Sequence, residues 1–173
     1  MRINFYALRA IYFHEMDRFR RTLIQSLLSP VLSTSLYFIV FGSVIGDYVQ
    51  KIDGISYGSY IVPGLLMLTL LTQSISNTSF GIFFPKFNGT IYEILAAPIS
   101  TVEIVIAYVG AGATKTLIVA AVIFCTSLFF AEVNVKFPLL MIFLLILVAF
   151  TFALFGFLIG LLSKNFEQMS IIP

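Results

Sequence analysis

From Pro138 to Leu162 the chain carries no charged residue. Crossing the hydrocarbon of a bilayer takes roughly 20 predominantly apolar residues, so 138–162 reads as a membrane span. Inside lipid no water satisfies the backbone, and such a segment is then helical. Three other stretches read the same way, at 23–46, 59–80 and 104–131. Composition agrees, with 60% hydrophobic and 10% charged residues against about half and a quarter in a typical soluble domain. The expected fold class is all-α: a polytopic membrane protein of one domain, 1–173. So much aliphatic and aromatic residue also excludes intrinsic disorder.

Residues 1–21 precede the first span and read as an amphipathic helix at the membrane interface. Phe5, Leu8, Tyr12, Met16 and Phe19 make an apolar stripe at helical spacing. Arg2, Arg9, Arg18, Arg20 and Arg21 surround it, with Glu15 and Asp17. A secretory signal would place a short basic region before an apolar core; here charged and apolar residues are mixed throughout. Within span 23–46, Pro30 sits among Ser26, Ser29, Ser33, Thr34 and Ser35. Those hydroxyls are expected to bond the backbone that the proline frees.

Charge sets the expected orientation. With the N-terminus inside, the inner side carries Arg2, Arg9, Arg18, Arg20, Arg21, Lys86 and Lys164. The outer side carries Lys51, in the polar loop with Asp47 and Asp53, and Lys136, beside Glu132 and Asn134. Lys115 falls within a span. Cytoplasmic loops are the basic ones, so the N-terminus is placed inside.

Little in the chain suggests bond-making chemistry. Cys125 is the single cysteine and His14 the single histidine, which leaves no metal set and no serine–histidine–acid arrangement. A net charge of +2 is too small to indicate nucleic acid. No span holds paired carboxylates, which weighs against proton-coupled transport. Gly110-Ala111-Gly112-Ala113-Thr114-Lys115-Thr116 resembles a phosphate loop, but Thr114 stands where that loop needs glycine before lysine. Nor does any aspartate follow Asp53.

Lys115 is a functional candidate because it is ionisable inside a span. It lies roughly 16 Å along the helix from its expected start. The preferred reading places residues 98–112 partly in cytoplasmic or interfacial structure, with snorkelling as the alternative. Gln73, Ser74, Ser76, Asn77 and Thr78 must face protein or water. They line a substrate route or hydrogen-bond neighbouring helices. Gly42 with Gly46, and Gly156 with Gly160, have the spacing of close helix packing.

Between the second and third spans, Asn88-Gly89 makes a turn and Thr90-Ile91-Tyr92-Glu93 has the form of a capping box. A short helix is expected there, ending before Pro98, with Phe87, Ile91 and Tyr92 able to present a partner surface. An idle interfacial helix is the alternative reading of the residues alone.

Together these stretches resemble the permease subunit of type-2 ABC exporters. Glu15-Met16-Asp17-Arg18-Phe19-Arg20-Arg21 with Gln25 and Ser29-Pro30 is similar to the family's N-terminal elbow. Leu36-Tyr37-Phe38 and Phe41-Gly42 resemble its first span, Val62-Pro63-Gly64 the start of its second, and Tyr108-Val109-Gly110 the entry to its third. The most specific likeness runs from Asn88 to Ser100 and resembles the cytoplasmic coupling helix.

The resemblance implies a coupling segment at 85–98 carrying Phe87, Asn88, Thr90, Ile91, Tyr92 and Glu93. It also implies an N-terminal junction at Glu15, Arg18 and Arg21, and a translocation path past Gln73, Ser74, Asn77 and Lys115. Implied partners are a separate ABC ATPase subunit that binds the ATP, a second permease copy, membrane lipid and an exported substrate. This chain itself is expected to hold no cofactor. Permeases of that family continue beyond a fourth span, and Glu167 to Pro173 resembles the start of a fifth. The chain is therefore expected to be a C-terminally truncated permease. A membrane channel or scaffold without ATP coupling is the alternative.

Overall fold

A computed structural model describes residues 4–45, 51–52, 55–131, 133 and 135–171. Arg2, Gly46, Asp47, Asp53, Glu132, Asn134, Ile172 and Pro173, singled out above, lie outside the described residues. Among the described residues, four helical stretches are long and apolar enough to cross a membrane: Leu23–Phe41, Tyr57–Asn88, Thr101–Phe130 and Pro138–Leu162.

Helix α1 (Phe5–Arg21) is capped by the Asn4 side chain, which accepts from the Ala7 amide at 3.4 Å. Its buried residues are Ile11, Glu15 and Phe19. The buried face is thus rotated from the apolar stripe: Phe5 is exposed, and an acid sits at the centre of the contact. Helix α2 (Leu23–Tyr37) runs through Pro30 and continues as a π-helical segment, Phe38–Ile45. Among the described residues, the hydroxyls of Ser26, Ser29, Ser33, Thr34 and Ser35 make no bond to the freed backbone, contrary to expectation. Strands β1 (Lys51–Ile52) and β2 (Ile55–Ser56) form a minimal antiparallel pair, Lys51 opposite Ser56.

Helix α3 (Tyr57–Asn88) is longer than the 59–80 expected, at 32 residues, or about 48 Å. It passes through both Pro63 and Pro85. Gly89 ends it with a positive φ of 80°, a backbone state that glycine adopts without strain. Next come α4 (Ile91–Ala96), α5 (Thr101–Phe130), α6 (Pro138–Leu162) and α7 (Phe166–Ile171). The bounds of α6 are those read from the sequence. Proline at its first position loses no hydrogen bond there.

Helix α5 is central and touches α1, α2, α3 and α6. Leu70, Ile82, Ile104, Tyr108, Val109 and Phe157 form the main core with Ile11 of α1. A smaller cluster joins Phe19 to Val119 and Ile123, with Leu23 and Leu27 alongside. The small residues Ala149, Ala153, Gly156 and Gly160 form the buried face of α6 and let it approach α3 closely. Across that seam the Ser74 hydroxyl donates to the Ala149 carbonyl at 2.6 Å. Leu139, Leu140, Phe143, Leu147, Phe150 and Leu154 of α6 point outward. At the far end of the seam, Lys86 Nζ donates to the carbonyls of Leu161 (2.6 Å) and Ser163 (2.9 Å). A cation there satisfies carbonyls that a helix C-terminus leaves unpaired.

Candidate functional site

Two regions gather the residues singled out by sequence. The first is the turn between α3 and α5. Phe87 and Asn88 belong to the last turn of α3 rather than to the short helix. Phe87 stacks on Phe83 with ring centroids 6.1 Å apart and meets Phe166 edge-on at 4.9 Å. The capping box expected at Thr90–Glu93 does not form. Thr90 has helical backbone angles, φ −64° and ψ −15°, and its hydroxyl donates to the Pro85 carbonyl at 3.4 Å. The left-handed turn at Gly89 brings the chain into Thr90 already helical, so Thr90 lacks the extended geometry of a side-chain cap.

A capping box instead closes at Ser100–Glu103 and starts α5. The Glu103 amide donates to Ser100 Oγ at 3.3 Å, and the Ser100 amide to Glu103 Oε2 at 2.9 Å. Its other carboxylate oxygen accepts from the Asn4 amide at 2.6 Å. The S-x-x-E spacing at 100–103 was the signal for it, the same pattern as at 90–93.

Helix α4 buries no residue. Ile91 and Ile94 rest against the main core, whereas Tyr92 (73% exposed), Glu93 and Leu95 point away from it. Two large apolar side chains and a carboxylate thus face outward from a turn joining two spans.

The second region is a buried charge cluster. Lys115 lies in the middle of an unbroken α5 and is 3% exposed. Its ammonium is buried on a partner and does not snorkel to water, and residues 101–112 of the segment read as interfacial are α-helical. Lys115 Nζ donates to Glu15 Oε2 at 2.7 Å. Arg18 Nη2 reaches the same oxygen at 3.0 Å, and the guanidinium lies over the Phe80 and Phe84 rings, 5.3 and 6.0 Å from their centroids. Glu15 is 2% exposed and faces α5, so it presents nothing outward. Arg21 stays exposed at the end of α1. One rung away, Tyr12 donates to Thr114 Oγ1 at 3.1 Å.

Residues 110–116 are helical throughout. Their amides serve the helix rather than a phosphate cradle.

A cleft of about 650 Å³ opens beside this cluster. The ends of α1 and α2 supply Arg18, Phe19, Thr22, Gln25, Ser26 and Ser29; α3 supplies Ser76, Asn77, Ser79 and Phe80. Lys115 and Met169 complete it. Of the path residues read from sequence, Asn77 and Lys115 reach the cleft. Ser74 is buried in the α3–α6 seam, and Gln73 accepts from Asn77 Nδ2 at 3.5 Å. Glu15 was the partner that sequence reasoning missed for Lys115. An ionisable residue in a span calls for an opposite charge, and Glu15 is one of only eight acids in the chain.

A long-helix bundle with outward apolar faces and a buried ion cluster defines a polytopic membrane protein. The sequence profile of the ABC-2 type transporter family matches residues 6–173. The "Inner membrane transport permease YadH" of Escherichia coli (strain K12) is 37% identical over 173 residues, covering 100% of this chain and 68% of that protein. The protein of the same description from Shigella flexneri matches to the same extent. No solved structure gives a significant match. The chain belongs to the ABC-2 type transporter family and is a multi-pass inner-membrane transport permease.

Proposed function

We propose that this permease is the membrane subunit of an ATP-driven exporter. It carries the translocation path and couples through α4 to a separate ATPase subunit that binds the ATP. The N-terminus lies in the cytoplasm, and a second permease copy completes the path. The observation that carries this reading is the two-sided character of α4. Its inner edge, Ile91 and Ile94, rests on the core shared by α1, α3, α5 and α6. Its outer edge exposes Tyr92, Glu93 and Leu95. A load applied to the outer edge therefore reaches the spans through packed side chains, which transmit displacement because interiors are close-packed.

The combined Tyr92→Ala and Glu93→Ala substitution is expected to abolish co-purification of the ATPase and transport-stimulated hydrolysis. Neither side chain is buried, so the amount of folded permease in the membrane should be unchanged. Retained, stimulated ATPase in the double variant would refute the coupling assignment. It would favour a channel or scaffold without ATP coupling. The orientation has its own check: a fluorescent protein that matures only in the cytoplasm is expected to fluoresce when fused to the N-terminus. An outside terminus would leave it dark and would put α4 on the side away from ATP.

A further inference from the structure

We propose that the cleft between the α1–α2 junction and α3 is a binding site for the phosphate headgroup of an acidic membrane phospholipid. Three observations carry it.

The first is charge. Arg18 and Lys115 line the cleft, and among the described residues no acid does. Behind them the two cations share one oxygen of one carboxylate, Glu15 Oε2, which leaves the cluster a net single positive charge. An unmatched charge at membrane depth is costly, and a phosphate oxyanion in the cleft would match it. Lys115 uses one of its three donors, on Glu15.

The second is open hydrogen-bonding capacity. Among the described residues, the side chains of Gln25, Ser26 and Ser29 make no hydrogen bond, although all three line the cleft. Polar side chains on a span are normally satisfied by protein, water or ligand. Hydroxyls and an amide beside two cations suit phosphate and glycerol oxygens.

The third is depth. Thr22 separates the arginine-rich end of α1 from the uncharged start of α2, so the headgroup boundary falls where the cleft opens. Ile24 and Leu28 on α2 and Phe84 on α3 are exposed beside it and offer acyl chains an apolar surface. A free phosphate would use the polar wall alone, whereas a phospholipid uses both.

The test uses the intact permease in nanodiscs, with bound lipid counted by native mass spectrometry. Phosphatidylglycerol is expected to be retained in preference to phosphatidylcholine, and millimolar inorganic phosphate should not displace it. Arg18→Gln should weaken retention about tenfold or more, as loss of a charge-assisted contact does. The double variant Ser26→Leu, Ser29→Leu fills the cleft from one half-buried and one exposed position, neither of which bonds the ion cluster. It should remove the retained lipid while leaving the lipid-free thermal midpoint unchanged. Equal retention of the two lipids, or retention unaffected by both variants, would overturn the proposal. Displacement by inorganic phosphate would reassign the site to a free anion and overturn the lipid. No step needs ATP turnover, so failure here is separable from failure of the coupling reading.

Discussion

Replacing Glu15 by alanine is expected to destabilise the protein by roughly 3–5 kcal/mol, the cost of leaving a buried charge without its partner. The expected order of effects follows from how the three charges share one oxygen. Lys115 has Glu15 as its only hydrogen-bond partner among the described residues, and α5 holds it at 3% exposure. Without Glu15 its ammonium is stranded. Lys115→Met is expected to cost less, because Arg18 still reaches Glu15 Oε2 at 3.0 Å. Replacing both Glu15 and Lys115 by methionine removes the buried pair, keeps volume and leaves only the partly exposed Arg18 charged, and such exchanges are often close to neutral. The double variant should therefore be more stable than Glu15→Ala alone. Thermal unfolding of the wild type, Glu15→Met, Lys115→Met and the double methionine variant in one detergent gives the cycle. A coupling energy near zero, or a Lys115→Met effect larger than that of Glu15→Ala, would mean that the pair does not anchor α1 to α5.

That anchoring is also where sequence reasoning stopped. The span at 138–162 is legible to the residue because its evidence is local: no charge, proline at the first turn, serine after the last. The second span is read short because Pro85 and the polar run at 72–79 look like an ending. In the structure Ser74 is used against α6 and the helix continues to Asn88. Helical periodicity ranks apolar residues, so it draws the stripe of α1 through Phe5 and leaves Glu15 among the polar residues around it. What reverses this is Lys115, a hundred positions further along the chain, and no periodicity links the two. Of two boxes with the same spacing, the one at Ser100 closes and the one at Thr90 does not. The difference is the positive φ at Gly89, which is visible only as backbone geometry. The outward face near α4 was legible at Phe87 and Tyr92, which are exposed, but Ile91, read with them as a presented surface, rests against the main core instead, and Glu93 was read as a cap.

The second large effect is expected at the α3–α6 seam. A methyl group on Gly156 would lie 2.5 Å from the Ile75 carbonyl oxygen and 2.9 Å from Ile75 Cα. On Gly160 it would lie 2.5 Å from the Ser79 carbonyl oxygen and 3.0 Å from Ser79 Cα. At Gly160 the Ile82 side chain is also in the way, but each site has a backbone obstacle that no rotamer change relieves, so α6 must move off α3. Overpacking of this kind costs typically about 1–3 kcal/mol per site, and Gly156→Ala with Gly160→Ala should act at the upper end. A shift of α6 also pulls the Ala149 carbonyl from the Ser74 hydroxyl, and the Leu161 and Ser163 carbonyls from Lys86. Gly112→Ala is expected to destabilise as well, because its methyl would meet the buried Thr78 hydroxyl and lie 3.0 Å from Thr78 Cβ, which no rotamer change moves. Gly110→Ala has nothing within 4 Å and removes a helix-interior glycine, so it should be neutral or stabilising by up to about 1 kcal/mol. Thermal midpoints of the four variants decide the matter. If Gly110→Ala and Gly156→Ala behaved alike, α6 would not be seated on α3 through its glycines. The small-residue face would then be lipid-facing, and the charge-free span would have to find its partner elsewhere.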